Sequence, residues 1–127
     1  MKDYVSYYRR LNCYVVNFET CMRNIGKRYG VDFTSMKVLF GVEKDEGTRN
    51  KEIERNVDVD KAIVSRYLSK LLEAGLVEIR YSQKHFSKMV KMTDLGRRCV
   101  EDVCTEFSNR EPQVDKERNC KVKIETL

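Results

Sequence analysis

The chain of 127 residues contains one proline, six glycines, one histidine and no tryptophan. Proline and glycine punctuate regular structure, so their scarcity leaves little room for long loops and excludes a turn-rich all-β design. Five cysteines (Cys13, Cys21, Cys99, Cys104 and Cys120) show no C-x-x-C spacing, and with a single histidine beside them the usual zinc-ligand patterns are missing. No metal and no cofactor are expected. An odd cysteine count in a reducing compartment reads as thiols, not as a disulfide framework. No apolar run approaches the ~20 residues that span a bilayer. Met1-Lys2-Asp3-Tyr4 opens without the apolar stretch of a secretory signal. The expectation is a cytoplasmic protein that engages no membrane. A glycine-rich phosphate loop and a nucleophile elbow are also missing, which argues against an enzyme.

What is present is charge and helical periodicity. Charged residues make up 35% and hydrophobic residues 41%, a balance that supports a folded core. The length suits one domain. The formal net charge of +5 favours a polyanionic partner. That charge is focused: between Arg80 and Arg98 stand Arg80, Lys84, Lys88, Lys91, Arg97 and Arg98 against the single acid Asp94.

Apolar residues at Tyr4, Tyr7/Tyr8, Leu11, Tyr14/Val15, Phe18, Cys21/Met22 and Ile25 recur every three or four positions. This predicts one helix over residues 4 to 29, with Gly26 and Gly30 flanking its end. So long an apolar stripe needs other helices to cover it, from this chain or a second copy. Asp32 or Thr34 is expected to cap a helix from Ser35 to Lys44 that ends at Glu46-Gly47. Thr48 is expected to cap a short helix, with Asn56-Val57-Asp58-Val59 as the following turn. Asp60 caps the next helix, which runs to Glu73 and stops at Gly75. Its Val64, Leu68, Leu71 and Leu72 form the inward face. Val77–Tyr81 and Lys88–Met92 alternate as strands, joined by a loop from Ser82 to Ser87. Thr93-Asp94 caps a last long helix with a stripe of Leu95, Cys99, Val103 and Phe107, ending before Pro112. Residues 113 to 127 read as a short docking helix or a frayed tail.

This order of helix, turn, helix and hairpin is that of a winged helix-turn-helix, which lays one helix in the major groove of DNA. The fold class is therefore mainly α with a small β-hairpin wing (α+β), framed by long N- and C-terminal helices. The helix after Asp60 exposes Lys61, Ala62, Ser65, Arg66 and Ser69. Small side chains let a helix sink toward base edges, while hydroxyls and cations bond bases or phosphates. Arg66 is the first candidate for a base contact, because its planar fork can pair bidentately with guanine. Arg49 and Asn50 stand at a helix N-terminus, where phosphate is favoured. Arg80, Lys84, His85 and Lys88 make the wing basic, suited to the DNA backbone or minor groove. Each has a plainer alternative: an amphipathic surface helix, a capping turn, and a solvated hairpin whose lysines block edge pairing.

Asn50-Lys51-Glu52-Ile53, the run from Asp60 to Arg66, the run from Leu71 to Val77 and the run from Met92 to Arg97 together resemble the MarR family of prokaryotic transcription regulators. With helices of suitable length on both sides, the resemblance extends over nearly the whole chain. It implies a homodimer built from residues 1–30 and 94–127, around a DNA-binding lobe at residues 31–93. It implies a pseudo-palindromic double-stranded operator, with recognition helices in successive major grooves, and repression relieved by a small ligand or an oxidant. The wing departs from the family pattern. Lys84-His85-Phe86-Ser87 occupies the tip, where family wings carry an acid followed closely by arginine, which leaves Lys84 or His85 to reach the minor groove. Cys13 lies where some family members place a peroxide-sensing cysteine, although it equally suits helix packing. A protein-interaction winged helix, or a non-specific architectural DNA binder, is the alternative function.

Overall fold

The computed structural model describes residues 3–82 and 87–118, with side chains as far as Arg110. Its elements run α1 (Tyr4–Tyr29), α2 (Phe33–Leu39), α3 (Asn50–Val57), α4 (Lys61–Glu73), β1 (Val77–Tyr81), β2 (Lys88–Met92) and α5 (Asp94–Arg118). Asp3 starts α1 by accepting from the Ser6 N–H, and Gly30, at φ 76°, ends it in the left-handed conformation that glycine adopts without strain. Gly26 does not end the helix. It lies inside α1, where a Cβ would press on Met36, so its role is close packing of α1 on α2.

Asp32 caps α2 through the Ser35 N–H at 2.8 Å. The helix is shorter than its sequence suggests, closing at Leu39 instead of reaching Lys44. Gly41 is the reason: its Cα lies so close to Ile53 of α3 that a Cβ would be 2.8 Å from the Ile53 Cγ2. Tight turn bonds from Gly41 N–H to Val38 and from Val42 N–H to Leu39 take over there. Asn56 of α3 donates to the Gly41 carbonyl and fixes the junction.

Thr48 also departs from expectation. It is fully buried, bridges Val90 of β2 with two backbone hydrogen bonds of 2.8 Å, and accepts the Glu43 N–H on its hydroxyl. It extends the hairpin as a third short rung and leaves Arg49 in the N-cap position of α3 without a side-chain bond. The expected turn at Asn56-Val57 belongs to α3, whose end is set by Asp58 at φ 51°. By contrast, Asp60 caps α4 as expected, accepting the Ile63 N–H at 2.9 Å. β1 and β2 pair antiparallel from Val77↔Met92 to Tyr81↔Lys88.

The core is one cluster in which Ile25, Met36, Leu39, Ile53, Val64, Leu68, Leu71, Leu76, Val77, Val90, Cys99 and Val103 are buried, uniting every element. Leu72 is not part of it and stays partly exposed. At 100° per residue it lies about 80° round the helix from Val64, at the edge of the inward face. α5 packs along α1 through Tyr14, Phe18 and Phe107, whose rings meet edge to face. It begins with Thr93 accepting the Gly96 N–H. It then continues through Pro112 to Arg118, where the sequence predicts a stop. The expected tail is therefore helical over residues 113–118, and residues 119–127 lie outside the described residues.

Candidate nucleic-acid interface

α4 is amphipathic in the manner an inserted helix requires. Val64, Leu68 and Leu71 are buried, while Lys61, Ala62, Ser65, Arg66 and Ser69 are all exposed on the far side. With 3.6 residues per turn these five form one continuous strip. Its side chains are short except at Lys61 and Arg66, so the helix backbone can approach a surface closely.

α3 supports this helix from one side through Ile53, which is fully buried. The Thr48–Val90 bridge fixes where α3 begins. Arg49 follows directly and is therefore held beside β2, which begins at Lys88, and both side chains are exposed. The bridge thus gathers the N-terminus of α3 and the base of the wing. Asn50 is half-buried, and its side-chain oxygen has no hydrogen-bond partner.

The cations are not equally available. Arg80 is exposed but its guanidinium bonds Glu78 at 3.1 Å, so it arrives partly neutralised. Arg97 is engaged by Asp94 and by the Lys44 carbonyl. Arg49, Lys61, Arg66 and Lys88 form no ion pair among the described residues. Lys84 and His85 lie outside the described residues.

Two residues next to Arg66 escaped the sequence reading. Tyr67 lies half-buried, with the Arg66 guanidinium 5.7 Å from its ring centre and the Lys70 ammonium at 4.6 Å. Lys70 also bonds Asp32, the cap of α2, at 3.0 Å. Lys70 stands at i+3 from Tyr67 and i+4 from Arg66, positions that are neighbours on a helix, and that spacing was the available signal.

Among the described residues the cysteines sit mostly in the interior. Cys13 is 5% exposed and Cys21 and Cys99 are fully buried, whereas Cys104 is exposed. Burial pushes the Cys21 thiol up, opposed by the Arg110 guanidinium beside it. Burial likewise raises Cys99 to about 12. Such thiols stay protonated and are poor nucleophiles.

Residues 36–78 match the family model described as bacterial regulatory protein, arsR family, a stretch that contains α3 and α4. No curated protein sequence matches the chain. Solved structures resemble it over most of its length. A MarR-family transcriptional regulator from Silicibacter pomeroyi aligns with a TM-score of 0.66 at 16% identity, covering 91% of this chain and 75% of the other. CouR from Rhodococcus jostii RHA1, bound to p-coumaroyl-CoA, aligns at 0.63 with 18% identity, covering 84% and 73%. A mutant of MepR from S. aureus, bound to an oligodeoxyribonucleotide, aligns at 0.64 with 14% identity, covering 99% and 88%. The fold is that of a MarR-type winged helix, and the chains that share it include transcription regulators.

Proposed function

We propose that this protein is a homodimeric, sequence-specific DNA-binding transcription regulator that represses from a pseudo-palindromic operator. The observation that carries the reading is the exposed strip of α4, small along its centre and cationic at Arg66 and Lys61. In this reading Lys61, Ala62, Ser65, Arg66 and Ser69 enter the major groove. Arg49, Asn50, Arg80, Lys84, His85 and Lys88 meet the backbone or the minor groove.

The dimer is supported by the N-terminal half of α1. Tyr4 is 71% exposed, Tyr8 67% and Val15 53%, with Leu11 also exposed. These four lie on one stripe of the helix, and a stripe of this kind gains by packing against a second copy. Residues 1–30 and 94–127 then form the dimer frame, and residues 31–93 the DNA-binding lobe. No helix among the described residues is long and apolar enough to cross a membrane, consistent with a cytoplasmic regulator. A small molecule or an oxidant is the class of effector that would relieve repression.

Selection of genomic fragments by the purified protein at two salt concentrations tests this function. Enrichment of a shared inverted repeat supports it. Salt-sensitive retention without a shared motif would indicate a backbone-binding architectural protein. No retention at either salt would favour a protein-interaction role.

A further inference from the structure

Arg66 is a long cation in a strip whose other side chains, Lys61 apart, are short. An arginine in that place has many rotamers, and ordering them on a base weakens the contact. Unordered, it serves any phosphate within reach as readily as a guanine. The fold supplies a wall against that freedom. Tyr67 follows at about 100° round the helix, on the side turned toward the core. It is half-buried and packs against the core cluster, which fixes the plane of its ring. The Arg66 guanidinium lies over this ring, 5.7 Å from its centre. That is within the ~6 Å over which a ring face attracts a cation. Arg66 forms no ion pair among the described residues, so no carboxylate there competes with the ring.

A second cation shares the ring. The Lys70 ammonium is 4.6 Å from its centre. Left unpaired, it would repel the guanidinium from the same ring. It is paired: one Asp32 oxygen holds it at 3.0 Å, while the other caps α2 through the Ser35 N–H. Asp32 thereby neutralises Lys70 and leaves Arg66 as the unpaired charge at the ring. The exposed ion pair adds little strength of its own; what it changes is which cation the ring serves.

We propose that Tyr67 is a positioning residue for Arg66. Its core-packed ring holds the guanidinium in a restricted pose at the edge of the α4 strip, and Asp32 keeps Lys70 from displacing it. The restricted pose makes Arg66 select a base over a phosphate, because the ordering that base contact requires is already present in the free protein. The effect on recognition rests on the DNA-binding function proposed above; the side-chain contact does not. A cation–ring contact at an exposed site spans about two- to fivefold in affinity, and that is the share of discrimination expected to depend on Tyr67.

Two measurements test this. The first is the NMR signal of the Arg66 Nε–H in the full-length protein without DNA. The ring should shift it upfield in the parent and in Tyr67→Phe, and the shift should vanish in Tyr67→Leu, which keeps an apolar side chain against the core. A parent signal at the position of a free arginine, or one unmoved in Tyr67→Leu, would overturn the contact. Asp32→Asn keeps the α2 cap without the charge and should move the signal toward that of a free arginine; an unmoved signal overturns the part given to Asp32. The second is the ratio of affinities for a selected operator and a scrambled duplex. It should fall about two- to fivefold in Tyr67→Leu, hold in Tyr67→Phe, and fall no further when Tyr67→Leu is added to Arg66→Ala. An equal fall in both backgrounds, or no fall in Tyr67→Leu alone, would reduce Tyr67 to a packing residue. If the parent prefers no duplex, the proposed function fails, and the Arg66 signal still decides the contact.

Discussion

Gly96 lies in the first turn of α5 with its Cα against the Leu76 backbone, where a Cβ would overlap the Leu76 carbonyl oxygen and approach the carbonyl carbon to 3.1 Å. Replacement by alanine sets two effects against each other. In a helix, alanine is favoured over glycine by about 1 kcal/mol. The obstacle, however, is backbone and cannot rotate away, so α5 must move off the α4–β1 turn. That motion strains the bond from Thr93 N–H to the Leu76 carbonyl at 3.1 Å and the one from the Thr93 hydroxyl to the Gly75 carbonyl at 2.6 Å. Each such bond contributes about 1 kcal/mol, and overpacking adds about 1–3 kcal/mol. The cost exceeds the gain, leaving Gly96→Ala destabilised by about 2–4 kcal/mol. For a chain of this size that lowers Tm by about 6–20 °C. Urea unfolding at fixed protein concentration should show a lower midpoint with an unchanged slope. Gly30→Ala is the control. Gly30 has φ 76° but nothing within 4 Å of a Cβ, so only the left-handed conformation is penalised, by about 1 kcal/mol. A Gly96→Ala protein as stable as the parent, or less affected than Gly30→Ala, would refute this reasoning.

Three further outcomes are expected. Leu11→Glu places a charge in the exposed stripe of α1 and should shift sedimentation from dimer to monomer; a dimer of unchanged affinity would remove that stripe from the interface. The bond to Asp102, with burial, raises the Tyr29 phenol from 10.0 to about 12, so the stability it contributes is complete below pH 10 and lost as pH rises toward 12. Tyr29→Phe should therefore flatten the fall of the urea midpoint between those pH values, and an unchanged profile would count against the bond. Cys13 is buried in α1, so the sensor idea requires peroxide to reach it. If Cys13→Ser releases DNA on peroxide treatment as the parent does, Cys13 is a packing residue.

The elements bounded by local chemistry were legible in the sequence. Gly30 and Gly75 take left-handed conformations at helix ends, Asp60 caps α4, and β2 alternates in burial as its residues do, whereas β1 passes steadily from buried Val77 to exposed Tyr81. The departures arise from tertiary contacts. α2 stops early because Gly41 is pressed on Ile53, twelve positions away in the chain. Thr48 has the chemistry of a helix cap, but its pairing with Val90 decides its role, and no local pattern announces a bridge across that separation. Pro112 did not end α5. The outward strip of α4 follows from periodicity alone, and each residue assigned to it is exposed. The Asp32–Lys70 pair was not legible, because its partners come from separate elements and meet only in the folded chain.

The central claim is that the exposed strip of α4 reads DNA sequence, with Arg66 as its main base contact. The most direct measurement is the ratio of affinities for a selected operator and for a scrambled duplex, at one salt concentration, in the parent and in Arg66→Ala. A ratio on the order of a thousand or more is expected in the parent. In Arg66→Ala it should fall about 10- to 100-fold, chiefly through weaker operator binding. An Arg66→Ala protein that keeps the parent's ratio, or loses affinity equally for both duplexes, would contradict it and reduce Arg66 to a backbone contact.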